Sequence, residues 1–291
     1  MKSYLTKHSE HVYISPPDGE RDRPVMGIVV GSKRTLIVEA GASPAHVLTF
    51  KEAMTDLKLP DASFVALTHW HWDHVFGIAT FDLPTFGHRK TRQFVREMAD
   101  LDWQDEALNA RVEAGEEIPS IREYVIVELS NEQRAELVIT APDLIYDDQV
   151  DVDLGEVTCQ LIHVGGDHSV DSCVIFIPED KTVFLGDSIY SGFIGEDLFF
   201  TPEKVFPLID RLLDLKAKFY LPAHSKEVMS REDLEKMKAE MKHILACLQK
   251  HHWERQITIQ ELEISLKQSL DEDQIYYLDA FIRGQKEDIL S

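Results

Sequence analysis

The chain has 291 residues with 52 acidic side chains against 30 basic ones, a net charge of −22, and a field of that sign argues against a nucleic-acid partner because it repels phosphate backbones. Apolar residues make up 44% of the chain and aromatic ones 9%, as in a soluble globular protein with room for one large domain or two smaller ones. No run approaches the ~20 consecutive apolar residues of a membrane span, so no membrane partner is expected.

The N-terminal stretch from Met1 to His8 lacks the apolar core and small-residue cleavage site of a signal peptide, so a cytoplasmic location is expected. Val12 to Ser15 reads as a first strand and Pro16-Pro17-Asp18-Gly19 as a turn. Val25 to Gly31 and Thr35 to Glu39 read as a hairpin through Gly31-Ser32-Lys33-Arg34. Pro44 suits the first turn of a helix running to about Leu57. Phe64 to Leu67 is a short apolar run, predicted to be a buried strand. A short helix is predicted through Val75 to Ala79, and another strand over Leu83 to Gly87.

Arg89 to Ala114 has a helical, charged pattern closed by Gly115. With Trp103 and Gln104 in it, this segment is either a lid or a plain surface helix. The β-branched run Tyr124 to Leu129 predicts a strand, Asn131 to Ala135 a turn, and Glu136 to Thr140 a further strand. Segments 143–148 and 150–154 lead to the strand Val157 to Val164, then to Ser172 to Ile177 and, through the turn Pro178 to Lys181, to Thr182 to Leu185. Pro202 to Ala217 is an amphipathic helix and Phe219 to Leu221 a short strand. From Ser230, whose hydroxyl precedes Asp233 at capping-box spacing, three helical stretches follow: to about His252, over 258–270 and over 273–282. The expected division is a catalytic domain over 1–228 and a helical region over 229–291, which packs on the site, caps the core or mediates a homodimer. The three cysteines, Cys159, Cys173 and Cys247, form no CxxC pair and no disulfide framework is expected.

The densest chemistry follows Phe64 to Leu67. In Thr68-His69-Trp70-His71-Trp72-Asp73-His74 three histidines and an aspartate fall within six residues. Side chains alternate along extended backbone, so His69 and His71 can point one way, while Asp73 and His74 come where the chain turns. That suits two adjacent metal positions. Imidazole serves Zn, Fe and Mn alike, and carboxylate adds hard character, so these ligands do not separate the three metals. Three later strand ends each present another ligand-type residue: His168 in Gly-Asp-His-Ser, Asp187 in Gly-Asp-Ser and His224 in Pro-Ala-His-Ser. His168 completes the group with His69 and His71, His224 the group with Asp73 and His74, and Asp187 can bridge. Of the other histidines, His8, His11, His46, His88 and His243 read as surface or local hydrogen-bonding groups.

His-x-His-x-Asp-His followed in order by His, Asp and His at strand ends resembles the binuclear hydrolases of the metallo-β-lactamase superfamily, over roughly residues 12 to 228. The resemblance implies an α/β fold, a four-layer αββα sandwich with a C-terminal helical appendage, and two divalent metal ions that activate a hydroxide. It makes Asp73 a ligand first and a proton acceptor second. Glu39 stands where the family has the aspartate of an Asp-x-Gly turn, a change expected to bear on loop support. Tyr190, three residues after Asp187, matches in offset a tyrosine of the acyl-homoserine lactonase branch, so it either reaches the substrate carbonyl or packs on the strand exit. Asp171 and Ser172 are expected to orient His168, and Trp70 and Trp72 to wall the site or pack under it. Glyoxalase II thioesterases share the ligand set and a helical tail, but Arg255, Lys267 and Arg283 are too scattered to form a glutathione-carboxylate cluster. The expected activity is hydrolysis of a small carboxylic ester, thioester or lactone. A small phosphodiester is the alternative substrate, and a flavodiiron-like redox protein or a non-catalytic scaffold the remaining ones.

Overall fold

The computed structural model describes residues 4–287. The N-terminal half lays down seven strands: β1 (Thr6–Lys7), β2 (Val12–Ile14), β3 (Gly27–Val30), β4 (Thr35–Val38), β5 (Phe64–Ala66), β6 (Thr85–His88) and β7 (Leu144–Tyr146). They form one sheet in sequence order, antiparallel from β1 to β4 and parallel from β4 to β7. The parallel crossovers run through α1 (Pro44–Asp56), the one-turn helices α2 (Trp72–Val75) and α3 (Ile78–Phe81), and an excursion of α4 (Arg89–Ala99), α5 (Asp105–Ala114), α6 (Pro119–Glu128) and α7 (Asn131–Ala135).

The second sheet takes β8 (Gln149–Asp153), β9 (Thr158–His163), β10 (Cys173–Ile177) and β11 (Thr182–Gly186). A separate hairpin of β12 (Gly192–Ile194) and β13 (Asp197–Phe199) leads to α8 (Pro202–Asp214), and β14 (Phe219–Pro222) and β15 (Met229–Ser230) complete the sheet in the order β15-β14-β11-β10-β9-β8. Three helices end the described chain: α9 (Arg231–Lys250), α10 (Arg255–Leu266) and α11 (Glu272–Glu287). Among the described residues no helix is long and apolar enough to cross a membrane.

Strand alternation explains the layering. Val29, Leu36 and Val38 meet Cys173, Ile175 and Phe184 between the two sheets. Their neighbours Ile28 and Ile37 face outward onto Val47 and Phe50 of α1, while Val174, Phe176 and Val183 face outward onto Leu208 and Leu212 of α8 and Leu245 of α9. Both faces of each sheet are therefore buried, which is why these strands read as unbroken apolar runs. The result is the expected αββα sandwich. Leu262, Leu278 and Phe281 of the last two helices share the outer core of the second sheet, and Tyr276 Oη accepts a hydrogen bond from Ser191 N at 3.2 Å. All three cysteines are buried and unpaired.

The excursion between β6 and β7 departs from the sequence reading. Tyr124 to Leu129 is not a strand. It lies in and just beyond α6, which Pro119 opens, and Val125 packs with Leu129 and Ile121 on the first core. The strand propensity of Val125-Ile126-Val127 yields to burial of this one helical face. Asn131 to Ala135 is a helix rather than a turn, started by a reciprocal capping box between Ser130 and Gln133. Glu136 to Thr140 takes no regular structure, and the 89–114 stretch is broken in two at 100–104.

His46 is the local hydrogen-bonding group of the two alternatives, and it is buried. Ala42 N–H donates to its Nδ1 at 3.3 Å, so the ring proton sits on Nε2, 3.1 Å from Tyr4 Oη. Burial, and then Arg23, push its pKa down to about 3 from the usual 6.5. The folded chain holds it neutral, so its contribution is complete above pH ~6.5 and is lost as pH falls towards 3. From pH 6.5 to 4.5 this amounts to roughly 2–3 kcal/mol. Urea unfolding of the wild type should show that extra acid loss relative to His46→Gln, and equal losses in the two proteins would contradict it.

Candidate metal centre

The ligand-type residues gather at one edge of the sandwich, where β5, β11 and β14 end and where the β9–β10 loop turns. The chain leaves β5 at Ala66, bends at Thr68, and closes the one-turn helix α2 over Asp73 and His74. Gly186, at φ +53, ends β11, and a Cβ there would lie 2.3 Å from Thr68 Oγ1. Only glycine gives both the left-handed turn that delivers Asp187 and this close approach.

Two groups result, each with its ligand atoms within 4.8 Å of one another: His69, His71, His168 and Asp187, and Asp73, His74, Asp187 and His224. His71 Nδ1 lies 2.9 Å from both His69 Nε2 and His168 Nε2. His74 Nε2 lies 2.9 Å from Asp73 Oδ2, and His224 Nε2 lies 3.3 Å from the same oxygen. The structure thus brings together all seven residues singled out in the sequence.

The outward-facing ring nitrogens of His69 and His168 have hydrogen-bond partners, and those of His74 and His224 face carboxylates without a hydrogen bond. His69 Nδ1–H can donate to Thr68 Oγ1 at 3.1 Å, because that hydroxyl donates onward to Glu39 Oε1 at 2.5 Å. His74 Nδ1 faces Glu39 Oε1 at 3.2 Å, His168 Nδ1 faces Ser191 O at 3.3 Å, and His224 Nδ1 faces Asp22 Oδ1 at 3.5 Å. Oriented imidazoles of this kind are characteristic of metal sites.

Charge is distributed unevenly. Burial, and then His74, hold His69 well below its ordinary pKa, while burial, and then His168, bring His71 to about 3. Both are therefore neutral, the state a metal requires. Burial opposes charge on the other group too, but Asp73 and Glu39 hold His74 well above its ordinary value and Asp187 does the same for His224. Asp73 and Asp187 are held well below the carboxylate range against their burial, Asp73 foremost by His74 and Asp187 foremost by His224. Burial, and then Asp73, push Asp22 up to about 7.

The donor set fits metal ions. Asp73 Oδ2, His74 Nε2 and Asp187 Oδ1 are buried without a hydrogen-bond partner, and orphaned polar atoms of this density are costly unless something coordinates them.

Two supporting residues gain a sharper role than the sequence suggests. Glu39 acts on a ligand, not on loop support alone. It occupies φ +70, unusual for a residue other than glycine, and is pinned there by its N–H to Ala66 O at 2.9 Å and by Ala40 N–H to His74 O at 3.0 Å. Such strain persists where the surroundings over-determine it. Glu39→Gln should weaken metal binding by about 10–100-fold, read by competition with a chromogenic chelator; unchanged affinity would remove Glu39 from the site. Asp22 escapes the sequence reading, because a lone aspartate after Pro16-Pro17-Asp18-Gly19 signals only turn polarity.

Asp171 does not orient His168. It accepts from Thr91 Oγ1 at 2.6 Å and from Ser169 Oγ at 2.5 Å, and Ser169 in turn holds Trp70 Nε1 at 3.1 Å. Ser172 Oγ has no partner. Tyr190 lines the cavity over the site, and its Oη accepts from His224 N at 3.3 Å.

The sequence pattern of the metallo-beta-lactamase superfamily matches residues 21–224. A beta-lactamase domain protein from Burkholderia ambifaria superposes with a TM-score of 0.60 at 16% identity, covering 98% of this chain and 87% of its own. A metallo-beta-lactamase family protein from Thermus thermophilus gives a TM-score of 0.55 at 18% identity, covering 82% and 83%. A metallo-beta-lactamase from Pontibacter korlensis gives 0.52 at 20%, covering 81% and 96%. At these identities the likeness speaks for the fold. Comparison with curated proteins finds no match. The matched pattern spans most of the sandwich and ends on His224, and the chain belongs to the metallo-beta-lactamase superfamily of hydrolase-type enzymes.

Proposed function

We propose that this chain is a binuclear metal-dependent hydrolase of small carboxylic esters, thioesters or lactones. The observation that carries the reading is Asp187 Oδ2, which lies 3.3–3.7 Å from an Nε2 atom of each of His168, His224, His74 and His69. One carboxylate oxygen among four imidazoles suits a bridge between two cations. His69, His71 and His168 would hold one ion, and Asp73, His74 and His224 the other. Zinc, iron or manganese would suit these ligands, and a bound pair lowers the pKa of water towards neutrality and polarises the substrate oxygen.

The chain's own residues complete the chemistry. With its carboxyl held well down by His74 and His224, Asp73 is an anion suited to ligation. Burial, and then Asp187, push the Tyr190 phenol up, so it stays protonated. Its oxygen is engaged by His224 N–H, which leaves its own proton for a developing oxyanion. The cavity above these residues measures about 240 Å³, small beside the ~300–1,000 Å³ of most ligand pockets. Asp22 and Glu196 line it, with no Lys or Arg among its walls, which favours a neutral carbonyl compound over a phosphodiester.

The test is acid release by the metal-loaded protein on thioesters, lactones, β-lactams and small phosphodiesters. Turnover of a carbonyl substrate is expected. Turnover of phosphodiesters alone would overturn the substrate class and keep the metal site.

A further inference from the structure

We propose that the substrate bears an uncharged or cationic alkyl or aryl arm, which lies in a second, apolar cavity beside the metal centre; this rests on the hydrolase reading above and names its substrate class. The cavity, about 450 Å³, runs between the α4–α6 excursion and the β12–β13 hairpin. Its volume is that of a small-ligand site, ~300–1,000 Å³. His71, Trp72 and Phe193 line both this cavity and the one over the metal ligands, so an arm lying here would leave its scissile group at the metals.

The walls are made for carbon. Trp70, Trp103, Met98, Ile118, Ile121 and Phe193 face the space. Of the three indoles that line the cavity, two have their N–H engaged, Trp70 Nε1 by Ser169 Oγ at 3.1 Å and Trp103 Nε1 by Met98 O at 3.4 Å. An occupant therefore meets ring faces and alkyl groups, and the indoles of Trp70 and Trp103 offer it no free donor. The ring of Phe193 stands 5.7 Å from that of His71 and 5.9 Å from that of His168, at the junction of arm and reacting centre.

The roof is fastened in place. Glu196, at the hairpin tip, accepts from Ser120 N at 3.1 Å and Ser120 Oγ at 3.2 Å. Ser120 lies in the first turn of α6, where a carboxylate is favoured by the helix dipole. Charge sets the remaining condition. Glu116 and Glu196 line the cavity together with Glu117, which pairs with Arg111 at 3.9 Å, and no Lys or Arg is among its walls, so a carboxylate or phosphate on the arm would meet like charge from Glu116 and Glu196.

Two homologous series separate an arm on the acyl side from one on the leaving-group side: p-nitrophenyl esters of straight-chain acids, and acetates of straight-chain alcohols and of benzyl alcohol. In at least one series kcat/KM should rise about fourfold per methylene, about 0.8 kcal/mol, until the cavity is full. A terminal carboxylate on the same arm should lower it at least tenfold. Val112→Phe and Phe193→Ala should each reduce the long-to-short ratio at least tenfold. That ratio is taken within one preparation, so it does not depend on the folded fraction.

Tryptophan fluorescence gives a readout that needs no turnover. Octanol and octylamine should perturb Trp70 and Trp103 emission at least tenfold more tightly than octanoate, and Val112→Phe should weaken both. Hydrolysis of short esters with flat chain-length dependence and no such binding would overturn the arm and keep the hydrolase. Binding of octanol and octylamine without hydrolysis of any ester, thioester or lactone would support the arm and sink the hydrolase.

Discussion

Asp187→Ala is expected to lower turnover by at least about a hundredfold and to leave the chain unable to hold two ions. Asp187 is the residue common to both ligand groups found among the described residues, so its loss opens both at once. Removing an outer partner of a ligand already costs ~10–100-fold, and a shared ligand should cost more. The fold should survive, because Gly186 and the β11–β14 pairing through Gly186 and Pro222 are untouched. Metal content and kcat measured on the same preparation check this; two ions per chain with turnover within tenfold of wild type would contradict it.

Glu128→Ala is expected to produce the largest loss of stability, about 3 kcal/mol, the low end of the ~3–5 kcal/mol for breaking a buried ion pair. The carboxylate is buried at the C-terminal end of α6. It accepts from Arg23 Nε at 2.9 and 3.0 Å, and from Ser43 Oγ, the N-cap of α1. Arg23 retains 16% side-chain exposure and can partly rehydrate, which is why the low end applies. Arg23 adjoins Asp22, which faces His224, so the same variant should also weaken metal binding at the His224 group. Urea unfolding and a metal titration report the two effects separately. A loss below about 1 kcal/mol would place the Glu128 cluster among weak surface pairs.

What is legible in the sequence is legible for physical reasons. The strands buried on both faces show as apolar runs, and their ends carry His, Asp and His where a core strand has no use for them. His69 to His74 announce themselves by density. The excursion from α4 to α7 is harder, because Val125-Ile126-Val127 has strand propensity and only the α6 packing against the first core makes it helical. The β12–β13 hairpin leaves no readable signal: its strands are three residues each, too short for a pattern. Asp22 and Glu128 are invisible for another reason. Each acts through a partner far away in sequence, Asp22 through His224 and Glu128 through Arg23, and no local spacing encodes that.

The most direct test of the two-ion centre is the metal content of the full chain after loading with zinc, iron(II) or manganese(II) and removal of free ions. Two tightly held ions per chain are predicted with at least one of these metals. A chain that retains none with any of them would contradict the account, and the seven clustered side chains would then be a hydrogen-bonded polar edge of the sandwich.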